Sequence, residues 1–181
     1  MGDIDRELRR WRELPRERPD HLEAPGPGQE SVWDYPRPPR VEAVSPEIRV
    51  EFAGVVLART RRALCVLETA GPPVYYLPPE DVRVRHLERT GDSTLCEWKG
   101  EAVYWTVRVG ERTSPRAAWS YPRPLAGFEA IRGYFAFHAG RVDACFVGRE
   151  RARPQPGEYY GGWITSAVVG PFKGEPGSER W

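Results

Sequence analysis

Prolines and glycines interrupt this chain so often that little room remains for long helices. The sequence holds 19 Pro and 18 Gly in 181 residues. Each Pro removes a backbone N–H and is excluded from helix interiors and central strands. Pro15, Pro19, Pro25, Pro27, Pro36, Pro38 and Pro39 crowd one segment, so residues 15–40 are expected to form an extended arm, docked by Trp33 and Tyr35. Before Pro15, Ile4, Leu8, Trp11 and Leu14 recur at spacings of four and three behind Asp3 and Asp5. That pattern predicts a short amphipathic helix with its acids favourably placed against the helix dipole.

From Glu47 the hydrophobic period changes to two. Ile48, Val50 and Phe52 alternate with charged residues, and Gly54 marks a bend or bulge. Residues 55–59 and 63–68 read as a hairpin around Thr60-Arg61-Arg62, and 74–77 as a short proline-bracketed strand. Val82 and Val84 alternate with Arg83 and Arg85, and Gly91-Asp92-Ser93 reads as the turn leading to residues 94–98. The longest expected strand is 102–109. There Val103, Trp105, Val107 and Val109 share one face, while Ala102, Tyr104, Thr106 and Arg108 share the other. The first face reads as core and the second as a mixed surface able to line a pocket. Residues 126–132 suit a helical turn, and 134–147 a closing hairpin. The expected fold is mainly β: residues 1–44 give a helix and a Pro-rich arm, 45–148 a β domain, and 149–181 a Pro/Gly-rich tail packing on it.

Charge is balanced, Lys+Arg 27 against Asp+Glu 26. No net field draws the chain to nucleic acid, and no stretch approaches the length of a membrane span. Neither partner is expected. Cys65, Cys96 and Cys145 lack metal-ligand spacing, so no metal site and no cofactor are expected. Their odd number, with no secretory signal in view, fits a reducing cytoplasm. Lysine occurs only at Lys99 and Lys173, which makes both conspicuous.

The densest chemistry lies between Cys96 and Pro124, where Trp98, Tyr104, Trp105, Trp119 and Tyr121 stand among Lys, Glu and Arg. Trp119-Ser120-Tyr121-Pro122-Arg123-Pro124 echoes Trp33-Asp34-Tyr35-Pro36-Arg37-Pro38. With residues 72–78 (PPVYYLP) and 160–165 (YGGWIT), these segments resemble the bacterial domain-of-unknown-function 427 family. The resemblance implies a β-tent, two antiparallel sheets meeting at an angle, and supports the Cys96–Gly100 core, although Glu97 stands where many relatives carry Pro. A nucleotidyltransferase label attached to the family finds little here. Its chemistry needs paired carboxylates on a metal and a phosphate-cradling loop, but the only Asp-x-Asp is Asp3-x-Asp5 and no GxxxxGK[ST] occurs.

Three readings follow. The first is an aromatic-lined recess binding an unidentified small molecule, formed by Tyr76, Trp98, Tyr104, Trp119 and Tyr121 with Glu68 and Lys99 as polar partners. The second is an enzyme of undefined type acting through Lys99, Glu68 or His138. The third is an interaction or homodimerisation module using Trp33, Tyr35 and Trp163. The first is preferred because rings and isolated charges are plentiful while no convergent catalytic set assembles.

Overall fold

The computed structural model describes residues 3–181, with side chains from residue 6 onward, so the expected roles of the Asp3, Ile4 and Asp5 side chains lie outside the described residues. Helix α1 (Asp3–Glu13) stops two residues before Pro15 and buries Leu8. Its last carbonyls would be left without helical partners. Arg37 satisfies two of them, donating to the Trp11 and Arg12 oxygens at 3.1 and 3.2 Å.

The rest is mainly β, divided among several sheets, as the proline and glycine spacing requires. In chain order the strands are β1 (Glu30–Ser31), β2 (Arg40–Ala43), β3 (Ile48–Phe52), β4 (Val55–Thr60), β5 (Leu64–Leu67), β6 (Val74–Tyr76), β7 (Leu87–Cys96), β8 (Gly100–Val109) and β9 (Arg112–Ser120). They continue with β10 (Phe135–Phe137), β11 (Ala144–Val147), β12 (Glu150–Arg151), β13 (Arg153–Pro154), β14 (Trp163–Ile164) and β15 (Val168–Val169). Two four-stranded antiparallel sheets run β10-β9-β8-β7 and β12-β11-β3-β4, and a three-stranded sheet runs β2-β5-β6. A bridge between Leu77 and Phe135 joins the edge beyond β6 to β10. β13 pairs with β14, and β1 runs parallel to β15, stitching the arm to the tail.

Several sequence expectations are corrected by the pairing. The hairpin is β3–β4, closed by Ala53 and Gly54, both at positive φ (50° and 74°), the backbone that two-residue hairpin loops favour. β4 and β5 lie in different sheets. The Thr60 hydroxyl turns the chain between them, accepting from the Arg62 N–H at 2.9 Å and donating to Asp81 at 2.6 Å. Residues 82–85 form no continuous strand: Val82 makes a single bridge to Ala58, and a 3-10 turn takes over at Val84–His86. Gly91-Asp92 is no turn between strands but part of an irregularity inside β7, where the pairing with β8 shifts between Arg89 and Ser93. β10 and β11 form no hairpin either: β10 pairs with β9, and β11 pairs with β3. Asp143 fixes this crossing, accepting from the Ala53 N–H at 2.6 Å and from both terminal nitrogens of Arg112.

The period-two pattern of β8 now has a physical meaning, because successive side chains serve two different buried clusters. Val107, Phe135, Leu77 and Ala118 belong to the larger core, and Trp105 packs against it, its ring 5.3 Å from Phe135 and its indole N–H donating to Ser120 at 3.0 Å. Trp33, Tyr35, Trp163, Ile164, Val168 and Phe172 join the same core from the arm and the tail. On the other face Ala102, Tyr104, Trp119, Ala136, Tyr76 and Tyr121 form a second cluster. This face is more deeply covered than the alternation with Thr106 and Arg108 suggests. Tyr104 is buried, and only toward the strand end does Arg108 reach solvent.

Candidate functional site

The second cluster is the floor of a cavity of about 380 Å³. Cross-strand register assembles it: Tyr104 stands opposite Trp119, and Trp119 opposite Ala136. The Leu77–Phe135 bridge then sets Tyr76 beside that row. Tyr76 lies 6.4 Å edge-on from Trp119 and 6.3 Å from Tyr121, centroid to centroid. The Tyr104 hydroxyl is fixed by Thr94 at 2.8 Å, and the Arg116 guanidinium stacks on its ring at 4.3 Å. Opposite the floor, Trp11 and Leu14, Arg16 and Arg37, and the tail residues Gln155, Tyr159, Tyr160, Gly161 and Lys173 complete the lining.

Six of the seven residues expected at the recess line this cavity: Glu68, Tyr76, Lys99, Tyr104, Trp119 and Tyr121. Trp98 does not. It follows β7, outside the strand alternation, and its ring is approached by the Arg12 and Arg37 guanidinium groups at 5.4 Å each, a contact that fastens helix α1 to the sheet. Its adjacency to Lys99 in sequence is the reason to expect it in the recess, but the two stand in the turn between β7 and β8, where neighbouring side chains do not follow strand alternation.

Lys99 is the polar centre. The residue is only 8% exposed, and its ammonium lies 3.6 Å from a Glu68 carboxylate oxygen, an ion-pair contact too long for a hydrogen bond. It makes no hydrogen bond to a protein oxygen among the described residues. Burial works against the charge, but the Glu68 carboxylate works for it, and the group lies above the ordinary lysine value. Lys99 is therefore a cation at neutral pH and not a free amine. The neighbouring phenols are also held protonated: burial pushes Tyr76 up to about 12 and Tyr121 well above its usual range. The Tyr121 oxygen has no hydrogen-bond partner among the described residues, and that of Tyr76 has only a weak one in the Trp119 side chain.

Most other charges in the lining have partners within the protein, although Arg16 Nε is buried without a hydrogen-bond partner among the described residues. Arg16 pairs with Glu97 at 3.5 Å, Arg37 caps helix α1, and Glu179 accepts from the Gly177 N–H at 3.3 Å. Lys173 donates to the main-chain oxygen of Trp181 at 2.7 Å, and burial, followed by Arg16, draws it down to about 8. His138 lies at the edge of the cavity, its ring 4.6 Å from Trp119. Burial, reinforced by Arg141, lowers it to about 4, so its imidazole is neutral at physiological pH. No group of three or more His, Cys, Asp or Glu among the described residues is arranged to hold a metal ion.

The roof residues escape a reading of local pattern because they lie far away in the chain. Two signals point to them: the rarity of lysine, which singles out Lys173, and the Gly161-Gly162 pair. A Cβ on Gly161 would lie 2.1 Å from the Trp119 ring, and one on Gly162 2.6 Å from both Gln155 Oε1 and the Pro72 carbonyl. Glycine is what lets the tail lie directly on the floor.

The chain belongs to the family described as a domain of unknown function (DUF427), whose model matches residues 40–148. The matched span contains the cavity floor, whereas Trp11, Arg16, Arg37 and the tail side of the lining fall outside it. No curated protein matches the chain. No helix among the described residues is long and apolar enough to cross a membrane.

Proposed function

We propose that this protein binds a small planar molecule in the aromatic cavity and holds it without chemical change. The observation that carries the reading is Lys99: a cation nine-tenths buried, facing a cavity, with no hydrogen bond to a protein oxygen. Leaving such donors unfilled costs on the order of 1–3 kcal/mol, more for a charged group, and an occupant offering acceptor atoms removes that cost. The cavity volume is within the range of small-molecule sites, and stacking on Trp119 and the tyrosines adds apolar contact.

The enzyme reading has less support. A nucleophilic lysine needs a depressed pKa, and Lys99 is shifted the opposite way. His138, at about 4, is a weak base near neutral pH. The interaction reading relies on Trp33, Tyr35 and Trp163, and all three are buried in the chain's own core. Thermal-shift screening of a metabolite library, with recovery of the bound molecule, tests the proposal. A compound that raises the melting temperature and is recovered unaltered is the expected result. Turnover of the compound favours the enzyme reading, and a library with no stabilising member removes the proposal.

A further inference from the structure

The cavity also constrains the chemistry of its occupant. Lys99 and Glu68 lie side by side at 3.6 Å, both lining the cavity, and the Glu68 carboxylate has no hydrogen-bond donor among the described residues. They therefore present a donor next to an acceptor, an ammonium with three N–H groups and a carboxylate with spare lone pairs. Because the two charges balance each other, an added charge is unwelcome. A carboxylate or phosphate drawn to Lys99 meets Glu68 at the same place, and an ammonium drawn to Glu68 meets Lys99. Like charges brought this close repel. Arg37, Lys173 and Glu179 hydrogen-bond within the protein and Arg16 pairs with Glu97, although Arg16 Nε keeps an unused donor. A neutral molecule that offers an acceptor and a donor on one edge suffers neither repulsion. The floor beside this pair is a broad aromatic surface, Trp119 opposite Tyr104, suited to a flat ring.

We propose that the occupant is a neutral planar lactam whose C=O accepts from the Lys99 ammonium, whose adjacent N–H donates to Glu68, and whose ring lies against Trp119. The proposal rests on the small-molecule reading above and narrows it to one chemical class. Phenol donors at Tyr76 and Tyr121 supply further contacts to the carbonyl side of the ring. A site built to pair with a particular N–H rejects analogues that lack it far more sharply than an apolar pocket rejects a change in size.

The test is isothermal titration of the full chain with three matched probes: 2-quinolone, 1-methyl-2-quinolone and quinoline-2-carboxylate. The expected result is measurable binding of 2-quinolone, with a Kd roughly 100-fold weaker after N-methylation and the carboxylate at least about 10-fold weaker than the lactam. Lys99→Met is expected to weaken 2-quinolone about 10-fold or more while retaining a cooperative melt. Equal affinity for 2-quinolone and its N-methyl analogue overturns the proposal, because Glu68 is then not reading the N–H. Tighter binding of the carboxylate overturns it in favour of an anion site and leaves the small-molecule reading standing. The same holds if the three probes fail while other library compounds bind. Failure of every compound of any class removes both. Should Lys99→Met not fold, the comparison of the first two probes on the unaltered protein decides alone.

Discussion

The two Trp-x-Tyr-Pro-Arg-Pro segments have nearly the same sequence and opposite fates. In the first, Trp33 is buried in the main core and its indole N–H donates to the Pro171 carbonyl at 2.8 Å, while the Tyr35 hydroxyl donates to Glu30 at 2.9 Å. Arg37 then caps helix α1. In the second, Trp119 and Tyr121 form the cavity floor, and the Tyr121 hydroxyl has no hydrogen-bond partner among the described residues. One copy is a structural anchor with its ring-edge polar atoms satisfied, and the other leaves the Tyr121 hydroxyl without a protein partner among the described residues. The motif alone does not determine the role. What decides it is whether neighbouring segments bring acceptors to the ring edges.

The largest expected contrast is in ring deletion. Trp33→Ala removes a fully packed core side chain and is expected to cost roughly 3–5 kcal/mol in urea denaturation. Trp119→Ala enlarges a cavity that already exists and is expected to cost about half as much. Equal losses for the two variants would erase the distinction between anchor and floor.

The second contrast is in pH dependence. His138 packs against Trp119, and its folded pKa of about 4 lies below the ordinary value of 6.5. Between those values the unfolded chain binds the extra proton, so stability rises with pH across that window and falls as acid is added. The full effect is on the order of 3 kcal/mol. Denaturation midpoints of His138→Gln are expected to show a flatter slope between pH 4 and 6.5, and an unchanged slope would place the acid sensitivity elsewhere.

A smaller effect is expected at the tail. Gly161→Ala puts a methyl group into the Trp119 ring, where a Cβ would lie 2.1 Å from the nearest carbon. Relief requires the tail or the indole to move, at a cost of about 1–3 kcal/mol. The corresponding loss of ligand affinity is expected to exceed the loss of stability. A Gly161→Ala protein with unchanged melting and unchanged binding would mean that the tail does not close over Trp119.

The floor of the site is far more legible in the sequence than its roof. Strand alternation by itself puts Tyr104 and Trp105 on opposite faces, and the two residues do serve different clusters, as that rule requires. The rule operates only within a strand. Trp98 sits just past one, so its direction is set by the turn at residues 97–99 and by the two arginines that approach its ring. Which strands pair is equally invisible to local pattern. Residues 55–68 read as a hairpin, yet the tighter turn at Ala53-Gly54 captures β4 for β3 and leaves β5 to β2 and β6. Lys173 and Gly161 reach the site only because β1 pairs with β15 and β13 with β14, contacts that bring the tail back onto the domain.

The contrast between satisfied and unfilled hydroxyls is tested most directly by removing one oxygen from each copy. Tyr35→Phe and Tyr121→Phe leave both rings in place, so packing is held nearly constant, and equilibrium urea denaturation of each reads the worth of the hydroxyl alone. Tyr35→Phe is expected to lose about 1 kcal/mol, the usual worth of a hydrogen bond in a folded protein. Tyr121→Phe is expected to stay within about 0.5 kcal/mol of the unaltered chain, since its hydroxyl has no protein partner to lose. A loss at Tyr121 as large as that at Tyr35 would show that the second copy is as fully satisfied as the first, and would contradict the account of the cavity as a site built for an occupant.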